Sequence, residues 1–270
     1  MSTLVKGNPL TSREPQYPSE CSRQTEEATG ASLTSTPGFR LLLAAQLAAD
    51  TANYAVLFAA MALVEGLTHS STGMAWMIVS CTLPGLLFGP IAGVIVDRRD
   101  RVNVLVAGNA LRLVAAGCFV WASRMTSMHQ SLIAVCASCF VLSAAGQFIG
   151  PAQGAITPRL VGRGSMLLTA NSLVHLLSLG AQGLGLVVLA PLLLNTSGPA
   201  AVGTVSMVLF GTAILLVSRL PCTSLPAAVT RKRSLVDAWA ELQEGWRLTI
   251  HDRPLGLAVL QLTVVSAVGV

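Results

Sequence analysis

In the first half of the chain, an apolar segment runs directly into a cluster of charges: Gly89-Pro-Ile-Ala-Gly93-Val-Ile-Val-Asp97-Arg98-Arg99-Asp100-Arg101. Gly89, Gly93 and Asp97 are each four residues apart, so on a helix they lie on one face. Because glycine has no side chain, this face lets a second helix approach closely. The pattern predicts a membrane-spanning helix whose charged end lies at the membrane surface.

The composition indicates that most of the chain lies in lipid. Hydrophobic residues make up 53% of the sequence and charged residues 11%, and the mean hydropathy is +0.67. These values differ strongly from those of soluble domains. Backbone groups find no water in hydrocarbon, and the long apolar runs show no alternating strand pattern. We therefore expect an all-α membrane protein.

The apolar runs divide the chain into four parts. Residues 1–38 are polar and rich in Ser, Thr, Pro and Glu, which predicts a disordered cytoplasmic tail. A six-helix transmembrane domain is expected over 39–218, since a span needs about 20 apolar residues. Its spans are predicted at 39–64, 73–96, 102–122, 131–151, 166–190 and 200–218. Residues 219–253 form a cytoplasmic linker with an amphipathic helix. Residues 254–270 form a seventh helix that ends early, so we expect a truncated chain.

The basic residues predict the orientation of the helices. All but two of the 17 Lys and Arg residues fall in the tail, the linker and the loops on one side of the membrane. The exceptions are Arg112, inside the third span, and Arg124, in a loop on the other side. Because Lys and Arg are retained on the cytoplasmic side, the amino terminus is expected there. The expected location is a bacterial inner membrane. This topology explains the net charge of +5, so the charge does not indicate a nucleic-acid partner.

Two charged residues are predicted to lie deep in the membrane. Asp50 follows the expected start of its span by 11 residues, about 17 Å along a helix, and Arg112 lies equally deep in the third span. A charge at this depth costs about 3 kcal/mol, so both residues should face the bundle interior, where pairing would offset the two costs. We interpret them either as the site of proton coupling or as a static ion pair that orients two helices.

Further polar side chains occur at similar depth. They are candidates for lining a substrate cavity, or they form hydrogen bonds between helices, and sequence position does not decide between these interpretations. The set comprises Gln46, Asn53, Asn109, Asn171, His175 and Gln182. The sequence contains no HExxH motif, no glycine-rich phosphate loop and no evident Ser-His-Asp arrangement. We therefore expect neither an enzyme nor a cofactor or metal site.

The opening segment resembles a motif of the major facilitator superfamily, which lies between the second and third helices of those transporters. It reads Gly93, three residues, Asp97-Arg98, two residues and the basic Arg101, although Asp100 stands where the family usually has Gly. Six spans, a basic inner loop and a long linker are similar to the amino-terminal half of that fold. The resemblance implies a six-helix amino-terminal bundle plus a truncated seventh helix, with the missing carboxy-terminal half as a partner.

Longer segments resemble one branch of the superfamily, the drug:proton antiporter-like permeases that include macrolide-efflux and enterobactin-export proteins. These segments lie at residues 39–50, 108–112, 150–173 and 241–254. The chain departs from the antiporters in two places. Its fourth span lacks their arginine, for which Arg112 is a candidate replacement. Their glycine signature in the fifth span is reduced to Gly183-Leu-Gly185-Leu186, with Pro191 displaced.

The charged end of the opening segment predicts an inner gate. A carboxylate and several guanidinium groups at helix ends form ion pairs that hold one conformation of a transporter. We expect Asp97, Arg98 and Arg101 to latch this end against the carboxy-terminal half, while Gly89 and Gly93 allow close packing. The alternative interpretation is that the arginines only set the topology.

The resemblance implies a function as well as a fold. A secondary active transporter is expected, which exports a small amphipathic compound of drug, macrolide or siderophore type by alternating access, with the proton as coupling ion. An apolar interior with few charges suits such substrates better than sugars or phosphates. The alternatives are an uptake permease of the same fold and a truncated membrane scaffold that transports nothing.

Overall fold

The computed structural model describes residues 36–161 and 165–220, and this part of the chain is helical without any strand. It comprises α1 (Pro37–Thr68), α2 (Ser71–Asp97), α3 (Arg101–Ala122), α4 (Met128–Val161), α5 (Ser165–Gly183), a π-helical segment (Leu184–Leu189), α6 (Ala190–Ser197) and α7 (Pro199–Ser218). The prediction of an all-α fold is confirmed. The predicted tail up to residue 35, the linker from residue 221 and the seventh helix lie outside the described residues.

Six helical spans in the described part are long and apolar enough to cross a membrane. The chain is therefore a multi-pass membrane protein. Two spans extend furthest beyond their predicted carboxyl ends. The fourth, expected at 131–151, continues through Pro151 and Pro158 to Val161, and the fifth, expected to end at 190, continues to Ser197.

The fifth span continues past residue 190 because the π-helical segment stands directly before Pro191. Proline has no N–H, and in a regular α-helix its ring collides with the carbonyl group four residues earlier. Here the Ala190 N–H donates to the carbonyl oxygen of Gly185, five residues back, and this wider turn gives the proline ring room. The segment thereby joins α5 and α6 into one span.

Four helices form the centre of the bundle. Helix α3 packs against α4 and α7, and α7 also packs against α1. Helix α2 lies against α4 on one side, and α5 with the π-helical segment lies against α1. The aromatic rings of Phe119 and Phe210 are fully buried in this centre, whereas Leu86 and other large side chains of α2 are exposed on the outside of the bundle.

Small residues let α1 approach its neighbours. Ala52, Ala55 and Ala59 are fully buried. In lipid, apolar side chains are in hydrocarbon whether helices are associated or separate, so hydrophobic burial does not drive association. Close packing and hydrogen bonds between helices do so instead. Ser206 of α7 adds one such bond, since its hydroxyl donates to the carbonyl oxygen of Ala52 at 3.3 Å.

Gly185 brings the fifth span against the backbone of α1. A Cβ atom at this position would collide with the carbonyl oxygen of Thr51 and lie 3.1 Å from the backbone nitrogen of Ala55. Backbone atoms cannot move aside as a flexible side chain can. We therefore expect Gly185→Val to destabilise the protein by about 1–3 kcal/mol, the usual cost of an overpacked contact. Thermal unfolding in detergent measures this effect.

The matched control for this prediction is Gly183→Val. A Cβ atom at Gly183 would have nothing within 4 Å, so the same change of residue type there meets open space. An equal loss of stability in the two variants would show that helix propensity, and not the contact with α1, determines the effect.

Candidate functional site

The centre of the bundle holds an ion pair between α1 and α3. Arg112 Nη1 lies 3.9 Å from Asp50 Oδ1, and the side chains are 7% and 19% exposed, respectively. Both residues lie well inside membrane-spanning helices. Each charge alone would cost about 3 kcal/mol at the centre of a bilayer, so their proximity stabilises both.

Ser178 of α5 joins this pair through hydrogen bonds. Its hydroxyl donates to Asp50 Oδ2 at 2.9 Å, and it accepts a bond from Gln46 Nε2 at 2.7 Å. Gln46 and Asp50 lie one turn apart on α1, so both bonds connect α1 with α5. The carboxylate of Asp50 is thus held from two sides, by a guanidinium group and by a hydroxyl group.

The guanidinium group of Arg112 is held in place by packing more than by hydrogen bonds. A Cβ atom at Gly146 of α4 would lie 3.2 Å from Arg112 Nη2, so the missing side chain there makes room for the group. Tyr54, one turn beyond Asp50, is close enough to both charges to interact with them electrostatically. Arg112 Nε and Nη1 are buried and donate no hydrogen bond to any described residue.

The structure separates the other predicted cavity residues into two groups. Gln46 and Asn109 are buried, and Asn53 is half-buried beside Asp50 on α1. On α5, Gln182 is half-buried, whereas Asn171 and His175 are exposed. The bundle therefore brings Gln46 into contact with the charged pair through Ser178, while Asn171 and His175 are exposed.

Sequence reasoning missed Ser178, yet a signal for it exists. Asn171, His175, Ser178 and Gln182 follow one another at spacings of four, three and four, so they lie on one face of α5. A polar stripe at helical spacing within an apolar span would have identified Ser178 as part of that face. Gly146 was missed as well, and nothing in the sequence distinguishes it from other glycines of the spans.

The residues of the predicted inner gate lie at the end of α2 and the start of α3. A Cβ atom at Gly89 would lie 3.9 Å from Gln147 Oε1 of α4, whereas one at Gly93 would have nothing within 4 Å. Asp97 and Arg98 are exposed, and the part of the chain that the structure covers contains no ion pair of Asp97. Arg101 is half-buried, with Nε unpaired among the described residues. The gate residues thus present an open charged surface.

Asp100, which departs from the glycine usual in this motif, has a structural role. Its Oδ1 accepts a hydrogen bond from the backbone N–H of Val102 at 3.2 Å, and its Oδ2 accepts one from Asn103 Nδ2 at 3.4 Å. The side chain therefore caps the amino terminus of α3, where the first N–H groups have no partner within the helix.

Membrane-crossing helices around a buried pair of opposite charges are typical of a membrane transporter. The chain belongs to the Major Facilitator Superfamily, whose family model matches residues 41–270. It is therefore a member of a family of secondary transporters that act on small molecules. No curated protein and no solved structure gives a significant match. The fold and the family prediction are confirmed at this level.

Proposed function

We propose that the chain exports a small amphipathic molecule, of drug, macrolide or siderophore type, in exchange for protons. The observation that carries the proposal is the Asp50–Arg112 pair, buried in helices that are otherwise apolar. Intramembrane carboxylates are rare and commonly belong to proton relays or substrate pathways. The resemblance of residues 39–50 and 108–112, which contain this pair, to drug:proton antiporter-like permeases supports the same function.

In this proposal, Asp50 takes up and releases the coupling proton. When Asp50 is ionised, Arg112 is its counter-charge at 3.9 Å. In this ionised form the carboxylate can also accept a hydrogen bond from a polar group of the substrate, in place of Arg112. A proton on the same carboxylate removes its charge and takes up that acceptor position, so the substrate is released. Substrate and proton then compete for one site, which is the requirement for exchange.

The surroundings of the pair suit an amphipathic substrate. The neighbouring groups are amides and hydroxyls, namely Gln46, Asn53, Tyr54 and Ser178, within helices of high mean hydropathy. A lipophilic molecule with one polar or charged group fits such a lining, whereas a sugar or a phosphate needs many more polar partners. This argument favours drugs and secondary metabolites.

The proposal also covers the location of the protein and the carboxy-terminal half of the transporter. The distribution of Lys and Arg among the loops supports an amino terminus in the cytoplasm. The membrane we propose is the inner membrane of a bacterium. A carboxy-terminal half completes the pathway, and the two halves rock about the site to alternate access. The proposed division of the chain is a cytoplasmic tail (1–38), a six-helix domain (39–218), a linker (219–253) and a seventh helix (254–270).

Transport in lipid vesicles tests the function. The protein is reconstituted, a pH difference is imposed, and uptake of a radiolabelled macrolide is followed. Exchange moves substrate against the flow of protons, so in vesicles with an acidic lumen we expect accumulation above that of protein-free vesicles, whichever way the protein is inserted, and loss of this excess with a protonophore. Accumulation in an alkaline lumen would instead identify a proton-driven uptake permease. Absence of transport under both gradients would favour the scaffold.

Asp97 is proposed to latch the inner gate, with Arg98 and Arg101, against the carboxy-terminal half. Asp97→Asn is then expected to lower the transport rate about tenfold, which corresponds to about 1.4 kcal/mol lost from one gate conformation. The melting temperature should stay unchanged, because Asp97 is exposed and forms no ion pair with the described residues.

Asp100→Asn is the matched control for the latch, since it removes a charge from the same loop. Asn is as good a helix cap as Asp, so α3 keeps its amino-terminal cap. We expect near-normal transport from this variant. If Asp97→Asn also transports at the wild-type rate, the charges serve topology alone and the latch is refuted.

A further inference from the structure

Three buried amide oxygens have no hydrogen-bond partner among the described residues, namely Gln46 Oε1 and Asn53 Oδ1 on α1 and Asn109 Oδ1 on α3. Gln46 and Asn109 line one cavity, and each is only 4% exposed. Asn109 Nδ2 does have a partner, the carbonyl oxygen of Leu105 at 2.9 Å. A buried acceptor without a partner is costly, so native structures normally satisfy it with protein or with an ordered water molecule.

The orientation of the Gln46 amide follows from the charge of Asp50. An ionised carboxylate only accepts hydrogen bonds, so Ser178 must donate its single proton to Asp50. Ser178 can then only accept from Gln46, and Gln46 must turn its NH₂ group toward Ser178. Its oxygen is left for a different partner, and that partner must be a donor.

A small cavity lies where such a donor is needed. Gln46, Asn109 and Gln153 line it together with apolar side chains of α1, α3 and α7, and its size is that of a single water molecule. A buried water molecule requires two to four polar partners. Three amide side chains from three different helices meet this requirement, whereas a dry cavity is normally lined by apolar groups alone.

We propose that Gln46 and Asn109 bind one buried water molecule in this cavity. The water donates one hydrogen bond to Gln46 Oε1 and one to Asn109 Oδ1, and Gln153 is placed to accept or donate a third. A polar chain then runs from Asp50 through Ser178 and Gln46 to the water and on to Asn109. It links α1, α3 and α5 across the bundle. The site does not depend on the proposed proton coupling, because a static ion pair orients the chain in the same way.

Asn109→Leu tests the water site by thermal unfolding in detergent. Leucine is similar in size but cannot accept a hydrogen bond, so the water loses a partner, and Gln46 Oε1 loses its donor if the water leaves. We expect the melting temperature to fall by about 2–4 °C. If the cavity is dry, the same change removes an unsatisfied acceptor, and the melting temperature stays equal or rises.

Asn171→Leu is the matched control, because Asn171 is exposed on α5 and the change of residue is the same. It should leave the melting temperature unchanged. A structure of the wild-type protein at a resolution that shows water gives the second readout. Density within about 2.7–3.2 Å of both oxygens is expected. An empty cavity, or an Asn109→Leu variant as stable as the wild type, overturns the proposal.

Discussion

Asp50→Asn is expected to abolish macrolide accumulation driven by a pH difference, while exchange of labelled for unlabelled substrate continues. Asparagine keeps the size of the side chain and can still accept a bond from Ser178, but it cannot carry a proton. Exchange of one substrate molecule for another needs no titrating group. Continued exchange by the variant therefore also shows that it is folded. Both quantities are measured in the same reconstituted vesicles.

Two controls separate the role of Asp50 from a general effect of charge. Asp50→Glu keeps a carboxyl group at this place in α1, so accumulation should persist, at a lower rate if the longer side chain displaces Arg112. Glu65→Gln makes the same chemical change near the carboxyl end of the same helix, where the side chain is exposed, and should behave as the wild type. Normal accumulation by Asp50→Asn would eliminate Asp50 as the coupling residue and leave the static ion pair.

The free energy of unfolding of the protein should respond unequally to removal of the two residues of this ion pair. We expect Asp50→Asn to lower the free energy of unfolding by about 3 kcal/mol, the usual cost of leaving a buried charge without its partner. Arg112 is only 7% exposed and a guanidinium group cannot lose its proton, so its charge stays buried. Arg112→Leu should cost only about 1 kcal/mol, because Asp50 is more exposed, keeps its bond from Ser178 and can be neutralised by protonation.

The double variant Asp50→Asn/Arg112→Leu completes the experiment. With both charges removed, no uncompensated charge is buried, so we expect its free energy of unfolding to be within about 1 kcal/mol of the wild type. Equilibrium unfolding in mixed detergent gives the four values. Additive effects of the two changes would mean that the residues do not interact. The ion pair would then not explain the loss of stability in the single variants.

The spans could be predicted from the sequence because lipid imposes a simple rule. A helix must be apolar over about 20 residues, and a run such as Pro199–Ser218 meets this condition without reference to any neighbour. The fourth and fifth spans end later than predicted, beyond Pro158 and Pro191, although a proline inside a helix removes a backbone donor. In the structure, a long helix and a wider turn accommodate them.

The site was harder to predict, because contacts between helices depend on their packing. Asp50 and Arg112 stand out in a sequence since a charge in lipid is costly. Ser178 does not, because most hydroxyl groups in these spans simply bond to their own helix, as Ser138 and Ser172 do with the carbonyl oxygens four residues earlier. Only the packing of α5 on α1 turns Ser178 toward Asp50 instead.

The π-helical segment has a consequence for the geometry of the fifth span as a whole. One extra residue in a turn shifts the angular phase of everything beyond it by about 100°, since an α-helix advances 100° per residue. Beyond the segment, Leu193 and Leu194 of α6 pack against the apolar core. The two parts of this span therefore turn toward α1 faces that an uninterrupted α-helix would not place in line.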